Sequence, residues 1–251
     1  YQLADPWDFA AAWARLAVES GAGRVEVSTE GDTSHLRFDG RPLPGGLLLD
    51  PVSGLFGEDA DGRGRLLAVG LLALQRLSPV SIELRSGGRR WKQGHGDEWT
   101  ERASAEAGMS AQVLWESASA RESAQRLLQE FKGALALADL EVVADGRSLG
   151  RRHAEGEAGA RKTSSMGRRV CARKGGSVYA GTVNVYHRGV RVYRAAEAAL
   201  AGIEVHVQDD ELPLDFTGCR AVWDRRMGDT FKLAVEAVLN LFPPPPAPRR
   251  P

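Results

Sequence analysis

Apolar positions recur along this chain with two spacings, and the change from one to the other marks out its elements. Phe9, Trp13, Leu16 and Ala17 fall at helical spacing, so residues 9 to 20 read as a helix with one buried stripe. Asp8 is placed to cap its start, and Gly21-Ala22-Gly23 ends it. Val25 and Val27 begin a strand, Glu30-Gly31-Asp32 turns, Leu36 to Phe38 return, and Asp39-Gly40 turns out again. A glycine-punctuated loop then runs to Gly62-Arg63-Gly64. The helix after it carries Leu66, Leu67, Val69, Leu71, Leu72, Leu74 and Leu77, which is too apolar for a surface helix and predicts burial on most sides. Pro79 stops it, Val80, Ile82 and Leu84 alternate as a half-buried strand, Gly87-Gly88 turns, and Trp91 opens the returning strand. Ala111, Val113 and Trp115 mark another strand over 109 to 117.

The second half follows the same logic. Leu127, Leu128, Phe131 and Leu135 share one face of a helix from Arg121 to Leu137. Leu140, Val142 and Val143 form a strand before a turn at Asp145-Gly146. Residues 150 to 176 read as a mobile loop. Strands follow at Val178 to His187 and Val190 to Tyr193, hinged at Arg188-Gly189. Ala195 to Ala201 reads as a short helix and Ile203 to Val207 as a strand. Leu212-Pro213-Leu214 leads through Arg220 into a helix ending near Phe242, and Pro243 to Pro251 reads as an extended linker.

Composition narrows the chemistry. The 251 residues, 43% of them hydrophobic, suit one large or two medium domains with a real core. The 33 basic and 33 acidic residues cancel, so only local patches bear on nucleic acid. One such patch is 150 to 176, where Arg151, Arg152, Arg161, Lys162, Arg168, Arg169, Arg173 and Lys174 outnumber Glu155 and Glu157. It reads as a solvated linker or as a contact for a polyanion, nucleic acid or an acidic protein face. No apolar run approaches the ~20 residues needed to cross a bilayer. No signal peptide is visible, and Cys171 and Cys219 are too few for a disulfide framework, so a cytoplasmic protein with reduced thiols is expected. His35, His95, His153, His187 and His206 show no paired spacing for zinc, and neither a nucleophile elbow nor a P-loop occurs. No catalytic residue and no metal ligand is expected.

The run of glycine loop, apolar helix, Ser78-Pro79, Val80-to-Leu84 strand, Ser86-Gly87-Gly88 turn and Trp91 resembles a segment of the GHKL ATPase superfamily. The earlier order of helix, Gly21-to-Val27, hairpin and Asp39-Gly40 resembles its start, closest to the MutL and ninety-kilodalton heat-shock chaperone branches. The stretch from residue 178 to Arg220 resembles the transducer, or middle, domain of those chaperones. The resemblance implies an α/β fold, with a GHKL (Bergerat) type sandwich on a mixed sheet over 1–117. A transducer-like βαβ domain over 118–242 and a proline-rich tail over 243–251 would follow it.

The resemblance also implies a nucleotide site and its residues. Asp39 matches the family's adenine-binding Asp, with Gly40 after it, although Asp39-Gly40 reads equally as an ordinary turn. Gly62 and Gly64 match the last two glycines of the phosphate-binding box, where backbone N–H groups at a helix start receive phosphate. Asp59 stands where the first glycine would be, and its charge would repel phosphate. Arg220 is the nearest match to the arginine that reaches the terminal phosphate, or else pairs with a carboxylate or stays solvated. Ala12, Leu16 and Glu19 stand where the family has its general-base Glu, its magnesium-holding Asn and an Asp. A methyl group takes no proton and an isobutyl group coordinates no hard cation. The expected protein is thus chaperone-like or a scaffold with a decayed site for ATP or ADP, acting through a protein partner or client. The alternative is a working chaperone or MutL-like ATPase with an atypical site.

Overall fold

The computed structural model describes residues 5–56, 62–93, 108–165, 167–175 and 178–242. Asp59, His95 and the proline-rich stretch 243–251 lie outside the described residues.

A single 3-10 turn, Pro6–Asp8, precedes α1 (Phe9–Glu19). Asp5 starts it, its carboxylate accepting a hydrogen bond from Trp7 N at 2.9 Å. Asp8, the expected cap, makes no capping bond. The predicted stripe is buried as expected, and Gly21 ends the helix at φ +70°, a left-handed conformation that favours glycine. β1 (Arg24–Glu30) and β2 (Thr33–Phe38) form an antiparallel hairpin. Short 3-10 turns at Gly45–Leu48 and Ser53–Leu55 lead towards α2 (Arg63–Gln75). α2 is buried along nearly all its length and crosses α1 at close range. A Cβ on Gly70 would lie 2.2 Å from the Trp13 indole nitrogen, so only glycine fits there. That indole donates to Leu67 O at 3.3 Å.

β3 (Ser81–Ser86) and β4 (Arg89–Gln93) form a hairpin whose turn, Gly87-Gly88, takes positive φ at both residues, as a tight hairpin requires. β5 (Met109–Leu114), α3 (Ala120–Ala134), β6 (Glu141–Ala144) and β7 (Arg147–Gly150) follow. The seven strands form one mixed sheet in the order β4-β3-β5-β2-β1-β6-β7. Its apolar face, with Val25, Val27, Leu36, Ile82, Leu84 and Val113, packs in one core with the three helices. β6 runs parallel to β1, with Val25 opposite Val142. The boundary drawn at 117 therefore cuts this sheet, and the two sheets part after Gly150. Sequence spacing could not foresee this, because the partner of Val142 lies over a hundred residues upstream.

The segment expected to be a loop, 150 to 176, is largely structured. It holds α4 (His153–Gly156), β8 (Arg161–Ser165) and β9 (Arg168–Lys174), because Val170 and Ala172 find buried places beside the next strands. β10 (Gly181–His187), β11 (Val190–Glu197) and β12 (Ile203–Gln208) complete a second sheet, ordered β11-β10-β12-β9-β8. Ala195 and Ala196, expected in a short helix, extend β11 by pairing with Val183 and Thr182, and only Ala198–Leu200 turns as a 3-10 helix. α5 (Arg225–Leu241) lays Met227, Ala234 and Val238 over Val183, Val185, Val205 and Val207.

Asp209, at the end of β12, ties α5 to β9. The residue is 1% exposed, and its carboxylate accepts from Arg168 Nε at 2.8 Å, Arg226 Nη2 at 2.7 Å and Thr230 Oγ1 at 2.9 Å. Burial alone would raise its pKa, but these donors overcome that and hold it well below the usual carboxylate range. The two units are locked together. Tyr186 packs with Leu137 and Ala154, and its hydroxyl oxygen lies 3.0 Å from Gly133 O and 2.9 Å from His206 Nδ1. Arg15 Nη1 donates to His187 O at 3.1 Å. No helix among the described residues is long and apolar enough to cross a membrane.

Two stability predictions follow from these contacts. Asp209→Ala strands the buried Arg168 and should lower the unfolding free energy by about 3–5 kcal/mol in urea titrations. Burial lowers the pKa of His206 to about 4, against the opposing pull of Glu204, and lowers those of His153 and His187 as well. The unfolded chain therefore takes up these protons first, starting near the ordinary histidine value of ~6.5. Stability should fall as pH drops from ~6.5 towards 4. The His206 part is on the order of 2 kcal/mol at about pH 5, and His206→Gln should remove it.

Candidate functional site

The residues expected to meet a nucleotide are held by their own chain. Asp39 Oδ1 accepts from Gly23 N at 2.7 Å and Arg24 N at 2.9 Å, so this carboxylate ties the end of β2 to the start of β1. Gly40 takes φ +103°, and a Cβ there would lie 2.7 Å from Ser20 O. Arg41 continues the contact, its N donating to Ser20 O at 2.8 Å and its Nη2 to Glu19 O at 3.0 Å. The Asp39-Gly40 pair therefore clamps the loop after β2 onto the C-terminal end of α1.

Gly62, at φ +73°, precedes the first turn of α2, and no side chain caps that turn. Gly64 is buried against the turn at Ser53–Leu55, where a Cβ on Gly54 would come within 2.4 Å of Gly64 O. Arg63, between the two glycines, is buried and sends Nη1 to Arg41 O at 3.3 Å and Pro42 O at 3.1 Å. Leu43 N donates to Ser86 Oγ at 2.9 Å, and Leu43 and Leu48 enter the core. The structure thus brings the two motifs together through Arg63, with residues 41 to 55 packed between and beside them.

α1 offers no chemistry on its inner face. Ala12 and Leu16 are both 0% exposed, in the core with Phe9 and Trp13. They supply no oxygen for a metal and no proton acceptor, so the residues here do not fit a magnesium ion. Among the described residues no group of three or more His, Cys, Asp or Glu could hold a metal ion. Glu19 is not a solvated helix residue. It receives Arg15 at 3.2 Å and Arg188 at 3.5 Å, and so joins α1 to the turn between β10 and β11.

The loop whose Phe216 O accepts from Arg65 Nη1 at 3.3 Å, in the first turn of α2, also carries Arg220. This arginine pairs with Asp8, the residue expected to cap α1. The pair lines a cleft of about 490 Å³ between the two units, with Trp7, Glu130, Arg191 and Cys219 also on its walls and none of residues 39 to 64 among them. The partnership of Asp8 and Arg220 had no signal in the sequence, since 212 positions separate them. Both cysteines are free and buried, and burial pushes the Cys171 thiol up to about 11 and the Cys219 thiol up to about 12. Neither is a nucleophile at neutral pH.

The basic segment is mostly paired within the fold. Arg168 lies on Asp209, Arg173 reaches Glu157 and Glu204, Lys162 reaches Glu155, and Arg151 and Arg152 reach Asp139. Arg161 stacks on Phe242. Of the eight cations, Arg161, Arg169 and Lys174 have no ion pair among the described residues.

No protein family matches the sequence, and no curated protein does. Solved structures do. The ATPase domain of the bacterial mismatch repair endonuclease MutL from Aquifex aeolicus aligns at 10% identity and TM-score 0.51, over 92% of this chain and 98% of that one. A single-substitution variant of that ATPase domain aligns at 11% identity and TM-score 0.49, over the same shares. The chain has the mixed α/β fold of that MutL ATPase domain, with two mixed sheets.

If Gly40 is held by packing, its replacement should tell without any ligand. Gly40→Ala should cost about 1–3 kcal/mol of stability in nucleotide-free protein, from both the left-handed backbone and the contact with Ser20 O. Gly62→Ala meets no atom within 4 Å and should cost less. Thermal melts of the two variants compare them directly.

Proposed function

We propose that this chain is a partner-binding protein, a scaffold or chaperone-like module on the MutL-type GHKL fold, that does not hydrolyse ATP. The observation that carries this reading is the inner face of α1. Where the resemblance calls for a base and a metal ligand, Ala12 and Leu16 are sealed in the core. A positioned general base alone contributes about 10²–10⁴-fold in rate. A metal adds several kcal/mol of charge stabilisation at the phosphoryl group. Losing both together removes most of what such a site does. The packing of residues 41 to 55 supports the same reading, because the buried Arg63 turns Nη1 to Arg41 O and Pro42 O at the start of α2.

The Arg220–Asp8 pair bears on coupling between the units. An arginine already held by a carboxylate gains less from a phosphate, and a ligand shifts a conformational equilibrium only by its differential affinity for the two states. The arrangement of the units should therefore not depend on nucleotide. The solved neighbours are described as ATPase domains. That activity is the competing reading for this chain.

Turnover decides between them. Purified protein with ATP and magnesium should release phosphate no faster than a buffer blank, and small-angle scattering should be unchanged by the same additions. Steady turnover that disappears in Asp39→Asn, or compaction on adding ATP that disappears in Arg220→Ala, would overturn the proposal. Asp39→Asn keeps an acceptor for the Gly23 and Arg24 amides, so its fold is preserved for the comparison.

A further inference from the structure

β11 is an outer strand of the second sheet. Its inner side pairs with β10 from Val190 to Glu197, with a bulge at Val192 that has no partner opposite it. On its outer side Ala221 N donates to Val192 O at 3.1 Å. Tyr186 O accepts from Asp209 N at 2.9 Å, on the side away from β11, so Val185 and Val183 turn their groups to Tyr193 and Ala195, and Arg194 and Ala196 turn theirs outward. No backbone hydrogen bond meets them there among the described residues. This leaves a short open edge, which is a template for another strand.

The two faces beside that edge differ in chemistry. Towards α5, Tyr193, Trp223 and Phe231 form an aromatic ridge, with ring centroids 5.5 Å apart for Tyr193 and Trp223 and 6.2 Å for Trp223 and Phe231. Trp223 is 61% exposed, and Val222 beside it is also exposed. Trp and Tyr of this kind are enriched among interface anchors. On the other face Arg194 lines the cleft between the units. There Asp8 holds Arg220 and Glu130 holds Arg191 at 2.5 Å. Arg194 is exposed and has no ion pair among the described residues.

We propose that the outer edge of β11 captures an extended peptide of a partner protein, apolar at one position and acidic at the next. An added strand points successive side chains to opposite faces, so one set would rest on the ridge and the other would enter the cleft beside Arg194. The main-chain bonds supply affinity, and the ridge and the arginine set the pattern. A second copy fits less well, because two β11 edges paired about a dyad would bring like charges at Arg194 together. The chain's own stretch 243–251 is rich in proline, which has no N–H to give to a ladder. This inference rests on the reading of the chain as a partner-binding protein and names the partner's chemistry.

The test uses the whole chain without nucleotide and a short fluorescein-labelled peptide alternating glutamate with isoleucine. Anisotropy should show saturable binding, weakened at least about tenfold when lysine replaces glutamate, since a like charge would then face Arg194. Methylating the alternate peptide amides that pair with β11 should abolish it. Arg194→Glu and Trp223→Ala, each checked for native circular dichroism, should each weaken it about tenfold or more. Hydrogen exchange at the Arg194 and Ala196 amides should slow when peptide is bound. The proposal is overturned by absent saturation, by binding that survives both substitutions, or by sedimentation showing a dimer that Trp223→Ala dissolves. Because no nucleotide is present, failure here leaves the turnover result standing, and turnover found beside peptide binding would overturn only the hydrolysis reading.

Discussion

The close crossing of α1 and α2 is the constraint on which the rest of the molecule depends. Gly70 brings the α2 backbone against the Trp13 indole, and the indole answers with a bond to Leu67 O. Ala10, Ala12, Ala14 and Ala17 make α1 slim enough to be buried on several sides at once. Burial of that kind has a chemical consequence. A carboxylate or amide at Ala12 or Leu16 would need partners or water that this core does not provide. The packing that makes the first unit tight is therefore the same packing that leaves α1 without reactive groups.

α1 also serves as the joint between the two units. Its far face meets the turn of β10 and β11 through Arg15 on His187 O and through Glu19 on Arg15 and Arg188. Burial disfavours the charge on Arg15, which Glu19 partly restores. A second joint lies at α3, where Gly133 leaves room for Arg191 and where Tyr186 buries its ring and hydroxyl. Gly189, in the left-handed region, lets the same turn approach Ala138, where a Cβ would come within 2.4 Å. Contacts with so little slack resist small relative movements, because packed interfaces deform in steps and not continuously. The fold is thus suited to presenting fixed surfaces, among them the ridge at Trp223 and the cleft beside it.

Much of this was legible in the sequence. The stripe of Phe9, Trp13, Leu16 and Ala17, the all-apolar α2, the alternation of Ile82 and Leu84, and the glycine turns at 87–88 and 188–189 each state a local rule that the fold obeys. The resemblance to GHKL proteins named the fold, because it rests on the order of such local elements. The segment 150–176 misled because β8 is polar throughout and the apolar run of β9, Val170 to Ala172, is short and flanked by cations. β8 is exposed at every residue, so no apolar alternation announced it.

What the sequence by itself determined was the set of elements, their apolar faces and the absence of acid or amide side chains on the inner face of α1. These are properties of residues within a few positions of one another, where periodicity is fixed by backbone geometry. Only the tertiary structure decided which groups meet across long separations. It set Val142 beside Val25, moving the division between the units past Gly150. It gave Arg220 to Asp8, Arg63 to the carbonyls of Arg41 and Pro42, and Asp39 to the amides of Gly23 and Arg24. Those pairings are chosen by competition among many charged and polar groups for partners in a shared interior. That competition is settled by how the layers pack, and no spacing along the chain records its outcome.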